Sequence, residues 1–391
     1  MNMQDAFPLV ATTLFGLEPV LARELTDLGA EDISILNRAV RFNGDLAFLY
    51  KANLCLRTAL HILKPLHSFE ARNADDLYQG VQSFDWAKVM SVDHTFAIDA
   101  VAFSPHFPHS HFAALKAKDA IADQFRAHTG KRPSIDIQNP LIRIHLYISD
   151  TQVSLSLDSS GESLHRRGYR LNEHRAPLNE ALAAGLVLLT GWDGQANFVD
   201  PMCGSGTIAI EAGLIATHTP PGIFRRSFGF RNWKNFDFAL WQKVKNEAKR
   251  QIKPSDAKIY ASDISAGNLD IARQSVKNAG IEKLIHLSQQ DFLTLPPPAG
   301  GGVAVMNPPY GERLRHDDIE SFYQNIGDRM KKSWPGYKVW ILSSNSAAMK
   351  RVGLRPEKKI QVFNGSLECR FHGYSIFEGS RKDQNTTNYQ N

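Results

Sequence analysis

Hydrophobic and polar positions change period along the chain, and each change predicts an element. Phe7 to Thr13 is a short apolar run that suits a strand. Val20, Leu21, Leu25 and Leu28 recur at helical spacing before Gly29, which predicts a helix over 18–28. Ala39 to Phe42 reads as a further strand, and Leu46, Leu49, Tyr50 and Leu54 mark a second helix. Strand-like runs follow at Leu60–Leu63, Thr95–Phe103, Ile135–Ile137, Ile142–Ile148 and Val153–Leu157. An Ala- and Lys-rich helix is expected from Phe112 to His128.

The second half keeps a different rhythm, of short apolar strands each followed by a helix. Pro177 opens a helix over Glu180–Leu189, and Asn197–Val199 is a strand running into a glycine-rich turn and the helical Ile208–Ala212. Lys258–Asp263 is the next strand, Ala266–Ala279 the next helix with Gly280 as its stop, and Ile285–Phe292 a strand with an acidic end. Val303–Val305, the helix Phe322–Trp334 and the strand Lys338–Leu342 continue the alternation, and Phe371–Phe377 suits an antiparallel edge. This alternation predicts an α/β domain with a mostly parallel sheet behind an α+β region. Residues 380–391 are polar and are expected to be disordered.

With 391 residues the chain can bury two or three cores, and a hydrophobic content of 43% fits a folded protein better than a disordered one. No apolar run approaches the roughly 20 residues of a membrane span, and the first residues lack a basic region followed by an apolar stretch. A cytoplasmic protein with no membrane partner is expected. The three cysteines, Cys55, Cys203 and Cys369, are scattered without metal-ligand spacing and fit a reducing compartment. His106, His109 and His111 lack Cys or acidic partners at ligand spacing, so a polar loop is expected and no metal site. A net charge of +5 is compatible with a polyanionic partner without proving one.

Two loops carry the candidate chemistry. Met306-Asn307-Pro308-Pro309-Tyr310-Gly311 follows the apolar Val303–Val305, at the edge of an open α/β sheet where ligands bind. Asn307 offers a carboxamide oxygen, a carbonyl preceding a proline is a second acceptor, the prolines stiffen the loop, and Tyr310 adds a flat face for a base. Two acceptors and a ring suit a planar heterocycle bearing an exocyclic amino group. The same residues also suit a stiff turn with a buried tyrosine. Upstream, Asp200-Pro201-Met202-Cys203-Gly204-Ser205-Gly206-Thr207 lets a backbone approach a nucleotide-like ligand. No Lys follows the glycines, so this is not a Walker loop, and the third glycine of a dinucleotide fingerprint is missing. Asp200 at the strand end can face an ammonium-bearing ligand in place of a pyrophosphate.

Together, and in this order, these loops resemble class I S-adenosylmethionine-dependent methyltransferases. The first resembles the amino-group methylating motif and the second the cofactor loop. The resemblance implies that Asn307, Pro308, Pro309 and Tyr310 serve catalysis. It implies that Asp200, Pro201, Cys203, Gly204, Ser205, Gly206, Thr207, Asp263, Ile264, Asp291, Phe292 and Asn307 line the S-adenosylmethionine site. Asp263 would accept ribose hydroxyls, Asp291 would meet the adenine amino group, and the adjacent backbone amide a ring nitrogen. The interval from Asp200 to Asp263 is far longer than the usual gap of about 20 residues. The excess, Thr217 to Pro254, interleaves Arg with aromatics, which suits either stacking on RNA or a small satellite core.

Between the halves, Leu164-His165-Arg166-Arg167-Gly168-Tyr169-Arg170 and His174-Arg175-Ala176-Pro177 form a basic junction. It reads as a solvated connection or as phosphate contacts near the cleft. The junction resembles that of THUMP-containing RNA guanine-N2 methyltransferases, which favours Arg166, Arg167, Arg170 and, on the preceding helix, Lys116 as RNA-binding residues. By the same resemblance residues 1–60 are a ferredoxin-like part, 61–162 a THUMP-like RNA-binding domain, 163–379 the Rossmann-like methyltransferase domain and 380–391 a tail. The chain looks similar to the amino-terminal half of bacterial 23S rRNA guanine-N2 methyltransferases, some of which are fused to a second methyltransferase. The implied activity is methylation of a guanine N2 amine in 23S rRNA or its assembly intermediate, by a monomer. A tRNA guanine-N2 methyltransferase, an adenine-N6 DNA methyltransferase, a protein-glutamine methyltransferase and a non-enzymatic RNA-binding protein stay open as alternatives.

Overall fold

Alternating strands in the first half bury one face each, so they need a common sheet with helices laid on it. The computed structural model describes residues 6–170, 178–309 and 316–378. The chain divides into two compact units. The first comprises residues 1–13, 21–166 and 225–248, and the second residues 14–20, 167–224 and 249–391.

In chain order the first half holds β1 (Phe7–Thr13), α1 (Glu18–Leu28), β2 (Glu31–Leu36), β3 (Ala39–Gly44), α2 (Leu46–Cys55) and β4 (Ala59–Glu70). It continues with α3 (Ala74–Gln82), β5 (Phe96–Phe103), α4 (Ser110–Thr129), β6 (Ile142–Ser149) and β7 (Gln152–Asp158). One seven-stranded sheet runs β2-β3-β1-β4-β7-β6-β5. β4 belongs to both halves of it, pairing antiparallel with β1 along its first residues and with β7 along the rest. The boundary expected at residue 60 therefore falls inside a shared strand. Pro65, which has no amide to donate, sits where the β4–β7 register shifts. Ile135–Ile137 is not a strand: only an isolated bridge joins Ile135 to Phe96.

The buried aromatics of the insertion do not form a separate satellite core. Phe228, Phe230, Trp233 and Trp241 are buried in the main core of the first unit, where the Phe230 ring lies 4.4 Å from that of Tyr50. Arg225 donates to the carbonyls of Ser163 and Arg166 at 2.8 and 2.7 Å and to that of Glu162 at 2.6 Å. Aromatic burial of this kind stabilises by a few kcal/mol per ring, which explains why the segment joins that unit.

The second half holds α5 (Glu180–Thr190), β8 (Asn197–Asp200), α6 (Thr207–Ala216), α7 (Phe238–Arg250), β9 (Ile259–Asp263), α8 (Ala266–Asn278) and β10 (Ile285–Gln289). It ends with β11 (Gly302–Met306), α9 (His316–Ser333), β12 (Tyr337–Ser343), α10 (Ser346–Arg351), β13 (Lys358–Asn364) and β14 (Leu367–Ser375). The order is β10-β9-β8-β11-β12-β14-β13. The first five are parallel, and β14 and β13 are antiparallel additions. The late strand expected at the edge is therefore interior: β13, unread in the sequence, forms the edge beyond it. Both faces of β11 are buried, Val303 and Val305 in one core and Ala304 and Met306 in the other. That is why the strand reads as an unbroken apolar run.

Candidate active site

Parallel pairing puts the carboxyl ends of β8, β9, β10 and β11 on one sheet edge. The chain runs outward from β8 through β9 to β10, then returns to place β11 against the other side of β8. The crevice at such a reversal is where open α/β sheets bind ligands. Asp200 and Asp263 are the last residues of β8 and β9, Asp291 follows β10 after one residue, and Asn307 follows β11 directly. Four residues distant in sequence thus share one edge.

The glycine turn is sewn to the neighbouring strand. Cys203 donates its amide to the Ser262 carbonyl, and Gly204 donates its amide to Oδ2 of Asp263, each at 2.9 Å. Asp263 Oδ1 accepts from the Ser265 amide at 2.9 Å and from Asn268 Nδ2 at 3.1 Å. One lone pair of Oδ2 is left for a ligand hydroxyl. Gly206 caps α6 with φ +79°, a conformation that favours glycine, and offers no side chain to the helix amides. Burial pushes the Cys203 thiol far above its ordinary range, with Asp200 and Asp263 acting the same way, which disfavours a thiolate there.

Asp200 is fully buried, and neither carboxylate oxygen receives a hydrogen bond of normal geometry. Burial pushes its carboxyl up to about 8; the amides of Ala209 and Met202 offset part of this, and Asp263 adds to it. Asn307 repeats the pattern: its Oδ1 is buried with no donor. Buried acceptors are normally paired, so two orphans at the ends of paired strands mark a place for a ligand carrying N–H groups.

Pro308 is buried and Pro309 exposed; Tyr310 lies outside the described residues. Asp291 Oδ1 accepts the Leu293 amide at 2.9 Å, which holds the turn after β10. The Phe292 ring packs in the core against Trp334 at 5.4 Å between centroids, so only its backbone is available to a ligand. Ile264 is 70% exposed beside Asp263, an apolar surface at the crevice edge.

The basic residues expected at RNA divide. Arg166 is exposed and paired with Glu162 at 2.7 Å. Arg167 is 1% exposed and spends its Nε on Glu211 at 3.4 Å, inside the second unit and away from solvent. Arg170 is 15% exposed and faces Glu180 at 3.3 Å. Lys116 is half-buried on α4, and residues 174–177 lie outside the described residues. Among the described residues no group of three or more His, Cys, Asp or Glu side chains is set to hold a metal ion. No helix among them is long and apolar enough to cross a membrane.

Sequence reasoning passed over the carboxylates that receive these arginines. Glu211 is fully buried and accepts from the Tyr169 hydroxyl at 3.1 Å, and Glu180 is buried at the start of α5. Burial raises the Glu180 carboxyl, and Arg170 works against that. A signal was present: Glu211 is the lone charge in the otherwise apolar Thr207–Ala216, and such a residue is retained only with a partner.

Comparison with known proteins gives the family. The chain matches the RMKL-like methyltransferase domain over residues 167–372, the THUMP domain over 71–158 and the RlmL ferredoxin-like domain over 8–63. It is 38% identical over 372 residues to slr0064 of Synechocystis sp., named as an RNA methyltransferase, covering 95% of this chain and 97% of that protein. It is 36% identical to the ribosomal RNA large subunit methyltransferase K/L of Marinomonas sp., covering 98% of this chain and 54% of the relative, so it spans about half of that protein's length. The crystal structure of SMU.472, named as a methyltransferase and solved with SAH, superposes with a TM-score of 0.85 at 30% identity, covering 96% of this chain and 100% of that one. The chain belongs to the RMKL-like methyltransferase family, its methyltransferase domain preceded by RlmL ferredoxin-like and THUMP domains.

Proposed function

We propose that the protein uses S-adenosylmethionine to methylate the exocyclic N2 amine of a guanine in 23S rRNA. The observation that carries the reading is the pair of buried acceptors on one sheet edge, the Asp200 carboxylate and Asn307 Oδ1, neither of which receives a hydrogen bond of normal geometry from the described residues. The cofactor and the base each bring an N–H-bearing nitrogen. S-adenosylmethionine supplies an electrophilic sulfonium methyl; the chain's residues hold the partners around it. Asp200 accepts from the α-ammonium, Asp263 Oδ2 from the ribose, and Asp291 with the Phe292 amide meets the adenine, against which Ile264 lies. Ser205, Gly206 and Thr207 contribute the turn that lets the backbone close in, between Pro201-Met202-Cys203 and α6.

The guanine N2 lone pair is delocalised into its ring, which makes it a poor nucleophile. Asn307 Oδ1 and the Pro308 carbonyl accept its two N–H groups, which points the lone pair toward the methyl and disperses the positive charge that develops on nitrogen. Pro309 stiffens the loop, and Tyr310 stacks on the base. The remaining gain is alignment of nitrogen, methyl and sulfur in line. No strong base is required, because the proton leaves after the nitrogen has become cationic. The base reaches this edge only unpaired or flipped out. The THUMP domain and the naming of relatives as RNA methyltransferases support an RNA substrate.

The test is methyl transfer from labelled S-adenosylmethionine to separate 23S rRNA, tRNA and DNA pools, with the rRNA taken from cells lacking the protein. The expected product is N2-methylguanosine in 23S rRNA, lost in Asn307→Ala. N2-methylguanosine confined to tRNA would move the substrate, and N6-methyladenine in DNA would overturn the RNA reading.

A further inference from the structure

Arg170 stands where its sequence context did not suggest. Nη2 donates to the Leu178 carbonyl at 3.0 Å and to Oγ1 of Thr207, and Nη1 faces Oε1 of Glu180 at 3.3 Å. Thr207 closes the glycine turn and opens α6, while Glu180 opens α5. One guanidinium therefore spans the starts of both helices.

The turn closes on itself with one bond, the Gly206 amide to the Cys203 carbonyl at 2.8 Å. Gly204 and Gly206 both hold positive φ, +53° and +79°, and glycine pays the largest backbone entropy when fixed. One side of the turn is held by Asp263, through the Gly204 amide. The other side is held by Arg170, through Thr207. The polarity of this second tie follows from chemistry. A guanidinium only donates, so Thr207 Oγ1 is the acceptor and its own proton must point elsewhere. Ser205 Oγ lies 3.3 Å from Thr207 Oγ1, so the same hydroxyl also touches the residue in the middle of the turn, with either atom able to donate.

We propose that Arg170 is a positioning residue for the cofactor turn: through Thr207 it fixes the end of the glycine turn, and Ser205 beside it, at the start of α6 where the cofactor's chain would close on the backbone. This rests on the reading of the turn as the S-adenosylmethionine site. It also removes Arg170 from the RNA contacts expected of the basic junction.

The experiment measures SAH binding by calorimetry, KM and kcat for methyl transfer, and thermal unfolding, for Arg170→Met, Thr207→Val, the double variant and the conservative Thr207→Ser. Each of the first two should weaken SAH binding and raise KM for the methyl donor roughly tenfold, as loss of a charge-assisted hydrogen bond does. kcat at saturating donor should change little. The double variant should bind no worse than the weaker single one, and Thr207→Ser should bind like the wild type. Thr207→Val keeps the shape of the side chain, so it decides the matter if Arg170→Met does not fold. Wild-type affinity in Thr207→Val, or losses that add in the double variant, would overturn the proposal while the site reading stands. A wild-type protein that does not bind SAH would remove the site reading and the proposal with it.

Discussion

The backbone amide of Gly204 donates to Oδ2 of Asp263 at 2.9 Å, so the turn after β8 and the carboxyl end of β9 share one carboxylate. The same carboxylate receives the Ser265 amide and Asn268 Nδ2. Asp263→Ala removes all three contacts and the candidate ribose acceptor together. It is expected to weaken SAH binding by more than about tenfold and to cost about 1–3 kcal/mol of stability. Calorimetry and thermal unfolding of the same samples check both effects. Unchanged SAH affinity would mean that Asp263 only organises the turn.

If Asp200 accepts the cofactor's ammonium, as proposed, binding depends on pH. The Asp200 carboxyl is held up at about 8, against an ordinary value of 3.8, first by burial and further by Asp263. Between those values the native state holds a proton that the unfolded chain has lost, so the group's contribution to stability is full below 3.8 and gone above about 8. An ammonium beside Asp200 favours the ionised form and reverses the trend for binding. SAH affinity should rise as pH rises toward about 8, with a proton released on binding. Calorimetry in two buffers of different ionisation enthalpy reads the proton, and Asp200→Asn should abolish its release. Equal heats in both buffers for the wild type would exclude this coupling.

Phe230 ties the 225–248 segment to the first unit. Its ring lies 4.4 Å from Tyr50 and 5.2 Å from Trp241, and it is fully buried. Phe230→Ala should destabilise that unit by about 3–5 kcal/mol. With two units a single unfolding energy is not defined, so the loss is read as amide exchange in β4, β6 and β7. SAH affinity should stay at the wild-type level.

Among the described junction arginines, Arg166 is the one left exposed. Its pair with Glu162 is exposed on both sides, and such pairs contribute little to stability. If it neutralises an RNA phosphate, Arg166→Ala weakens RNA binding and lowers the salt slope by roughly one unit, with thermal unfolding unchanged. An unaltered salt slope would remove Arg166 from the RNA contacts.

His61 and Asp158 form the polar centre of the first sheet, with Nδ1 and Oδ2 2.7 Å apart. Burial opposes the charged imidazole, but the Asp158 charge and hydrogen bond outweigh it, and the His61 pKa lies above 6.5. A raised histidine stabilises fully below its unfolded value and loses that contribution as pH rises through the folded one. The melting difference between wild type and His61→Gln should therefore be largest below pH 6.5 and shrink at higher pH. A difference that stays constant with pH would show that packing, not charge, sets it.

What was legible in the sequence rested on local rules. A buried parallel strand between two helical layers reads as a continuous apolar run, as in Val303–Val305 and Phe198–Val199, and its end is marked by the first polar residue. Asp200, Asp263 and Asn307 could be named for that reason. The positive-φ region favours glycine, so the glycine turn at Gly204 and Gly206 was visible too. These features need only neighbours within a few residues.

Tertiary structure decided whatever depended on distant partners. Arginines in a basic run look alike, yet Arg166 stays in solvent while Arg167 is buried against Glu211, 44 positions away. The insertion's aromatics carry no mark of which core receives them, and β13 becomes the sheet edge only because β14 pairs on both of its sides. The orphaned acceptors are the clearest case. The amino acids Asp200 and Asn307 are written in the sequence, but that the Asp200 carboxylate and Asn307 Oδ1 are buried without a well-formed hydrogen bond from the described residues follows only from the sheet that brings their strands together, because desolvation depends on everything packed around a group and not on its chain neighbours.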